Sequence, residues 1–286
     1  GAIYYLALIF RRAEILFLLI ILLAVNFFKA GGNVEVSFVD VGQGDCCVVL
    51  TPNRKCLIFD TGGVREKVFD VGGRVVIPYL KHENIFEVDT IFLTHAHEDH
   101  SGGAGTIIKK MPVREVITAN ESKSEYAAVL GISEQKLKNL RAGQVGEVFK
   151  IDGVTIKILY APKVGTGNEI SNVYKISYGN VSFLITGDLI SENEADILRE
   201  NINVQSTVLK VGHHGSKTSS SEEFLRAVNP KVAVICVGYG NNFGHPRAEV
   251  LENLEKINAK IYRTDKDGLI KFKTDGKNLS VNKFID

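Results

Sequence analysis

The heptapeptide THAHEDH, residues 94–100, places three histidines and two acidic residues within seven positions. The run before it, VDTIFL at 88–93, is apolar, which predicts a buried strand that ends at the cluster. Buried polar side chains need partners, so packing alone explains this many imidazoles and carboxylates poorly. Together they are the donor types that bind divalent first-row metal ions. The stretch therefore predicts a metal site at the end of a strand.

Two pairs of ligands can be separated within this cluster. His95 and His97 are two positions apart, so in an extended chain they point the same way and can share one metal ion. Asp99 and His100 lie past a turn and can face a second ion. Asp188 ends another strand-like run, FLITGD, and one carboxylate can bridge two ions ~3.5–4 Å apart. These residues predict a centre of two ions that activates water for hydrolysis.

Two more histidine clusters follow predicted strands. His213 and His214 come directly after TVLKVG, and His245 follows VAVICVG after a short loop rich in glycine and asparagine. Loops at strand ends on one edge of a sheet build sites together, so we expect these histidines near residues 94–100. Whether each of the three binds a metal ion or the substrate is open at this point.

Two glycine-rich stretches are candidates for substrate contact. In DVGQGD, residues 40–45, Gln43 and Asp45 are predicted to line the mouth of the site; the alternative is that the glycines only allow a tight turn. In HHGSKTSSS, we predict that Ser216, Lys217 and Thr218 contact a phosphate near the start of a helix. The alternative there is a capped helix with a solvated loop.

The order of predicted elements indicates an α/β fold. CCVVL and CLIFD flank TPNRK and predict a hairpin, and other strands alternate with helical stretches. This mixture favours a mixed sheet, or two stacked sheets covered by helices. The four cysteines match no zinc module and no disulfide framework, so we predict that they are small buried hydrophobic residues.

Basic and acidic residues are almost balanced along the chain. With 34 basic and 33 acidic residues, the chain has a formal net charge of +1 and lacks the global basicity of a typical nucleic-acid binder. A local basic face stays open, because net charge does not describe distribution. No interleaving of basic and aromatic residues marks a DNA track, and the nearest candidates are Tyr239, Asn241, Asn242, Phe243 and Arg247.

Residues 1–31 differ sharply from the rest and are predicted to be a membrane segment. Residues 15–28 are almost wholly apolar, and two arginines precede them while one lysine follows. By the positive-inside rule, the N-terminal flank is cytoplasmic and the remainder lies outside. A signal peptide and a buried core helix are the alternatives. Because the chain begins with Gly1, we expect it to be part of a longer protein.

The His-x-His-x-Asp-His pattern resembles the signature of the metallo-β-lactamase superfamily. That resemblance implies an αββα sandwich over residues 32–286, with two metal ions between the sheets. The transmembrane helix predicted from the apolar run lies ahead of this domain. A more specific resemblance, to the C-terminal domain of the ComEC DNA-uptake channel family, is carried by FVDVGQGDC, IFDTGG, RVVIPYL, LTHAHEDHSGG, FLITGD, LKVGHHGSKTSSSEEFL and GHPRAEVLENL. The apolar segment is similar to the last membrane helix of those channels.

The resemblance assigns roles to residues. It implies His95 and His97 on one metal ion, Asp99 and His100 on the other, and Asp188 between them. Asp60, at the end of LIFD, matches the acid that orders the metal-ligand loop.

For the later histidines, His245 matches the final ligand of the second ion. GHHGS matches a phosphodiesterase motif, in which His213 or His214 protonates the leaving oxygen or holds a phosphate oxygen. Together with Asp99, these two are the predicted catalytic residues.

One departure concerns the metal. Many superfamily members carry another histidine in the middle of the domain, where this chain has GTGNEISNVYKI with Asn168, Ser171 or Asn172 instead. Oxygen donors are harder ligands, so the first ion is expected to be weakly held, or to be Mn²⁺ or Mg²⁺ rather than Zn²⁺. For the centre as a whole, two ions of Mn²⁺ or Zn²⁺ are expected, with Mg²⁺ as an alternative. Asn172 is also a candidate for substrate contact.

The expected function is a metal-dependent phosphodiesterase or deoxyribonuclease of a DNA-uptake protein. The resemblance implies that it degrades the strand that is not imported, outside the cell membrane. Its partners would be single-stranded or incoming duplex DNA, the membrane and the rest of the channel. The alternatives are another hydrolase on this scaffold, such as a phosphorylcholine esterase or thioesterase, and a non-catalytic DNA-binding gate.

Overall fold

The computed structural model describes residues 32–64, 68–162 and 170–285, together with positions 14 and 17. Within those residues, none of the helices is both long and apolar enough to cross a lipid bilayer. The membrane helix predicted within residues 1–31 lies outside the described residues, apart from those two positions, and so does Asn168.

The strands form two mixed sheets. The first sheet has eight strands in the order β15-β14-β1-β2-β3-β4-β5-β6. In chain order their bounds are β1 Val34–Phe38, β2 Cys47–Leu50, β3 Cys56–Phe59, β4 Val88–Phe92, β5 Val113–Thr118, β6 Leu140–Ala142, β14 Ile270–Thr274 and β15 Leu279–Lys283.

The second sheet has seven strands in the order β13-β12-β11-β10-β9-β8-β7. Their bounds are β7 Val148–Ile151, β8 Val154–Tyr160, β9 Val173–Tyr178, β10 Val181–Ile185, β11 Val208–Lys210, β12 Val232–Ile235 and β13 Lys260–Arg263.

Helices cover the outer face of each sheet. A π-helical segment, Gly72–Val76, runs into the first α-helix, and short 3₁₀ segments span Glu134–Lys136 and Gly212–Gly215. The α-helices are α1 Ile77–His82, α2 Glu98–Ser101, α3 Ala104–Lys110, α4 Lys123–Leu130, α5 Ser191–Arg199, α6 Glu222–Val228, α7 Ala248–Lys256 and α8 Thr264–Asp267.

Three apolar clusters separate four layers, which confirms the predicted αββα sandwich. Between the sheets, Phe59 stacks on Phe92 with ring centroids 4.6 Å apart, and Tyr174 of the second sheet meets Phe59 edge-on at 5.4 Å. A second cluster joins α1, α3 and α4 to the first sheet, and a third joins α5, α6 and α7 to the second. Burial of apolar area on both faces of each sheet is the main stabilising contribution.

Each sheet is antiparallel in one half and parallel in the other. In the first sheet, β3, β4, β5 and β6 run parallel, and in the second, β10, β11, β12 and β13 do. The carboxyl ends of parallel strands lie at one edge of a sheet, and their loops can therefore build a common site.

Candidate metal centre

The predicted site residues follow the carboxyl ends of four strands. Asp60 comes directly after β3, and THAHEDH begins two residues after β4 in the first sheet. In the second sheet, Asp188 follows β10 and His213 follows β11. The two sheets thus bring residues that are far apart in sequence to one place.

Asp60 orients the histidine loop. Its carboxylate accepts hydrogen bonds from the amide of Thr94 at 2.8 Å and from its hydroxyl at 2.7 Å, and Oδ2 lies 2.8 Å from Nδ1 of His100. Asp60 is fully buried and has a φ of 56°, a left-handed conformation that costs free energy. With Nδ1 held this way, Nε2 of His100 faces the centre.

The side chains form two groups of metal-ligand type that share Asp188. His95, His97 and Asp188 have donor atoms within 4.8 Å of one another. Asp99, His100, Asp188 and His214 form the second group under the same limit. Four of these residues, His95, His100, Asp188 and His214, are no more than 2% exposed.

The distances agree with a bridging position for Asp188. Its Oδ1 lies 3.0 Å from Nε2 of His100 and 3.6 Å from Nε2 of His214, while Oδ2 lies 4.0 Å from Nε2 of His95. On the other side, Nε2 of His214 is 3.3 Å from Oδ2 of Asp99. The two carboxylate oxygens therefore face different ligand groups.

Two buried polar atoms of the ligand groups indicate that a cation fits between their side chains. Nε2 of His100 and Oδ1 of Asp188 are buried and face each other at 3.0 Å, and neither has a hydrogen bond of good geometry with any of the described residues. Buried polar atoms are normally satisfied, so such a pair needs an additional partner. Imidazole nitrogens and carboxylate oxygens aimed at one point are a donor set for Mn²⁺, Zn²⁺ and similar divalent ions.

Protonation follows the charges around each group in the metal-free chain. Burial lowers the pKa of His95 well below its ordinary value, so its imidazole is neutral. For His100, burial is outweighed by the surrounding carboxylates, Asp188 foremost, and the pKa is raised well above its ordinary value. The same imidazolium holds the pKa of Asp188 well below its ordinary value despite burial. A divalent ion would therefore compete with protons for these sites.

His213 and His214 occupy a tight turn with unusual backbone angles. Both have positive φ, 47° and 53°, within residues Gly212–Gly215. His214 is 2% exposed and its Nδ1 lies 2.8 Å from the carbonyl oxygen of Cys236, so Nε2 points to Asp99 and Asp188. The side chain of His213 is 26% exposed, with Nε2 3.7 Å from Oδ2 of Asp188. Strained residues of this kind cluster at functional sites.

A buried ion pair lies behind these ligands. Lys210, the last residue of β11, is 1% exposed and pairs with Asp45, and its Nζ also donates to the carbonyl of Gly187 at 2.9 Å. Asp45 in turn lies 3.3 Å from Nδ1 of His214 and 3.6 Å from Nδ1 of His100. Lys210 was not among the predicted site residues, although a lysine inside the apolar run TVLKVG is a signal of a buried charge.

The position of Asp45 differs from the expectation that it lines the mouth of the site. It is 3% exposed, because the DVGQGD loop turns its carboxylate inward toward Lys210. Gln43 does line an open pocket beside the centre, and its Oε1 accepts a hydrogen bond from the amide of Gly238 at 3.1 Å.

The predicted phosphate-contact residues are divided between two surfaces. The hydroxyl of Thr218 lies 3.2 Å from Nδ1 of His213 and 3.0 Å from Oγ of Ser216, next to the centre. Lys217 is exposed and lines a separate groove with acidic residues of α6 and α7. Glu194 supports this loop by accepting from the amides of Ser220 and Ser221, a role that the sequence pattern did not reveal.

Ser171, one of the three residues considered in place of a histidine, lies beside the first ligand group. Its Oγ is 3.3 Å from Nδ1 of His95 and accepts a hydrogen bond from the amide of Asp188 at 3.3 Å. Asn172 is fully buried and donates to the carbonyl of Thr118 and the hydroxyl of Tyr174. Its side chain therefore serves the interface between the sheets.

His245 lies at the edge of the centre. Its ring centroid is 5.9 Å from that of His213, and it belongs to none of the three candidate ligand groups found among the described residues. Burial, together with the positive charge that His213, His214 and Arg247 can carry nearby, lowers its pKa to about 4. Its assignment as a metal ligand stays a prediction.

This fold and these donor groups define an αββα protein of the metal-dependent hydrolase class. The chain belongs to the metallo-β-lactamase superfamily: the profile described as Metallo-beta-lactamase superfamily matches residues 39–239. Among solved structures, the metallo-beta-lactamase fold protein YhfI from Bacillus subtilis superposes with a TM-score of 0.53 at 10% identity, covering 80% of this chain and 95% of that protein. That likeness shows the fold alone.

Sequence relatives confirm the more specific resemblance to ComEC-family competence proteins. ComE operon protein 3 of Bacillus subtilis (strain 168) is 34% identical over 256 residues, which cover 84% of this chain and 33% of that protein. Competence protein ComA of Neisseria gonorrhoeae is 32% identical over 240 residues, covering 83% and 32% respectively. The chain thus spans about a third of the length of these relatives.

Proposed function

We propose that this chain is a metal-dependent phosphodiesterase that hydrolyses DNA at the centre built around Asp188. The observation that carries the proposal is the sharing of one buried carboxylate by two groups of ligands. When bound there, two divalent ions lower the pKa of a water and stabilise the attacking and leaving oxygens of a displacement. The names of the relatives, ComE operon protein 3 and Competence protein ComA, support DNA as the substrate.

The ligands differ in what they contribute. His95, His97 and Asp99 would hold the ions, together with His100 and His214, and Asp188 would lie between them. Asp60 acts through His100 by fixing the orientation of its ring.

His213 is the residue best placed to act on the phosphate. Its side chain is partly exposed, unlike that of His214, and its Nδ1 lies beside the hydroxyl of Thr218. When Thr218 donates to Nδ1, the proton is on Nε2, which faces the centre. From there it can be donated to a phosphate oxygen or to the leaving oxygen.

We further propose that the domain acts on the strand that is not imported, on the outer side of the cell membrane. The charge asymmetry around residues 15–28 supports this orientation. The partners are then the remainder of a DNA-uptake channel and the membrane.

Cleavage of a defined strand tests the enzyme proposal. The full 286-residue chain in detergent is incubated with end-labelled single-stranded DNA and Mn²⁺, Zn²⁺ or Mg²⁺, with and without chelator. We expect metal-dependent cleavage that Asp99→Ala reduces at least ~100-fold, as for loss of a metal ligand. Asp196→Ala is the matched control, because Asp196 belongs to neither ligand group and contacts only Arg199, in a surface ion pair on α5, and the hydroxyl of Tyr160 among the side chains the structure describes.

Three results would contradict the proposal. Equal cleavage by wild type and Asp99→Ala would place the activity elsewhere. Faster turnover of phosphorylcholine esters or acyl thioesters than of DNA would favour another hydrolase. Equal DNA binding with and without chelator, with no cleavage, would favour a binding gate.

A further inference from the structure

An open pocket of about 750 Å³ adjoins the candidate metal centre. Its volume lies within the range of pockets that take small ligands, about 300–1,000 Å³. His97 and Asp99 stand at the end next to the centre, and most of the remaining wall is apolar. The apolar side chains are Val41, Val64, Ala96, Val129 and Phe243.

Phe243 is an exposed aromatic residue that the structure holds in place. It is 59% exposed, and its ring lies parallel to that of His245, at an interplanar angle of 9° and a centroid distance of 5.8 Å. Asn241 secures the loop: Oδ1 accepts from the amides of Phe243 and His245, and Nδ2 donates to the carbonyls of Gly238 and His245. A ring ordered in advance loses little conformational entropy when a ligand stacks on it.

The remaining lining groups select what can enter. Gln43 and Asn242 offer amides, whereas Glu98 and Asp99 offer carboxylates, and no lysine or arginine lines the part of the wall that the structure describes. The carboxylates of this wall repel the negative charge of a phosphate. A phosphate can therefore be held only at the metal ligands, where bound ions offset that charge. Amide edges and an aromatic face suit an uncharged planar ring.

We propose that this pocket is a nucleobase subsite in which Phe243 stacks on an unpaired base of the strand whose phosphate lies at the metal ligands. The proposal rests on the proposed function and adds a substrate preference to it. A base within a duplex is stacked and paired and cannot reach the ring, so the subsite selects single-stranded over double-stranded DNA.

Stacking of a base on Phe243 can be measured without cleavage of the DNA. A single-stranded decanucleotide carries one 2-aminopurine, whose fluorescence is quenched by stacking, and phosphorothioate linkages that resist hydrolysis. It is titrated with the full chain and Zn²⁺, using wild type, Phe243→Ala, the conservative Phe243→Tyr, and Phe86→Ala. Phe86 is the matched control, because it is 66% exposed and precedes β4, at the end opposite the centre.

Wild type, Phe243→Tyr and Phe86→Ala should quench the probe, and Phe243→Ala should bind it about tenfold more weakly without quenching. A matching duplex should bind wild type more weakly than the single strand. Quenching and affinity unchanged in Phe243→Ala, or equal affinity for the duplex, would overturn the subsite.

A cleavage assay distinguishes failure of the base subsite from failure of the proposed phosphodiesterase function. With unmodified DNA, Phe243→Ala should lose most of the wild-type preference for single strands over duplex. An unchanged preference overturns the subsite and leaves the phosphodiesterase standing. Quenching by wild type with no cleavage under any metal supports the subsite and overturns the phosphodiesterase.

Discussion

At the residue scale, Asp60 lies at the base of the candidate centre. Its carboxylate faces three hydrogen-bonding groups at once, which fixes its orientation. It fixes Thr94 and the ring of His100 together. We predict that Asp60→Asn lowers metal affinity roughly 10–100-fold, as replacement of a residue that orients a metal ligand does. Isothermal titration with Mn²⁺ or Zn²⁺ measures this.

Asp89→Asn provides the control for that substitution. Asp89 lies at the other end of β4, where it accepts from the amide of Cys56 and pairs with Lys55. If both variants bind metal as tightly as wild type, the orienting role of Asp60 is wrong.

The buried pair of Lys210 and Asp45 makes a stability prediction. Lys210→Met leaves the Asp45 carboxylate buried without its cation, and we expect a loss of ~3–5 kcal/mol in the free energy of unfolding. Urea denaturation of the metal-free chain measures the loss. The double variant Lys210→Met with Asp45→Leu should recover most of it, since an apolar pair of similar size replaces the ions. A double variant no more stable than the single one would contradict this account.

His214 predicts a pH dependence. Burial lowers its pKa, but Asp188, Asp45 and Asp99 raise it more, to about 9 in the metal-free chain, whereas an unfolded histidine titrates near ~6.5. Protonated His214 therefore contributes stability that is fully present below pH ~6.5 and is lost as pH rises through about 9.

His214→Gln isolates that contribution. Between pH 6 and pH 9.5, the metal-free wild type should lose more free energy of unfolding than His214→Gln, and metal affinity of the wild type should rise over the same range. Identical pH profiles for both proteins would refute the assignment of this pKa to His214.

At the scale of elements, the loop that contains Gly44 packs against the ligand helix α2. Gly44, with φ of 139°, has no room for a side chain, because a Cβ would lie 2.3 Å from the carbonyl oxygen of Asp99. We predict that Gly44→Ala displaces Asp99 and lowers metal content by more than half, measured by atomic emission on purified protein.

Gly146→Ala is the control for Gly44→Ala. It distinguishes displacement of Asp99 from the backbone strain that any side chain meets at a positive φ. Gly146 also has positive φ, 84°, but nothing lies within 4 Å of its Cβ position. Gly146→Ala should lower the free energy of unfolding without lowering the metal content of the protein. Equal metal contents in the two variants would argue against a packing role for Gly44.

Local patterns predicted most of the elements around the site. The hairpin of β2 and β3 and the strand before THAHEDH both occur, because each follows from turn residues or an apolar run within a few positions. The short strands β6 and β7 were missed. β7 is partly exposed along its length, so its sequence carries little apolar signal.

At the scale of the whole molecule, the sequence indicated which strand ends bear ligands but not how close the ligands lie. The Asp188 position between two groups depends on the packing of one sheet against the other, which is set by contacts between residues far apart in sequence. For the same reason the sequence could not show that Asp45 turns inward to Lys210. The resemblance to the metallo-β-lactamase superfamily supplied the architecture that local patterns leave open.

The dependence of cleavage on added metal tests the central claim most directly. The metal-free 286-residue chain is titrated with Mn²⁺ or Zn²⁺ while the initial rate of cleavage of a labelled single strand is recorded. Two ligand groups that share Asp188 predict a rate that rises from background and saturates at about two equivalents of metal per chain. A rate in chelator equal to the rate at saturating metal would contradict the account.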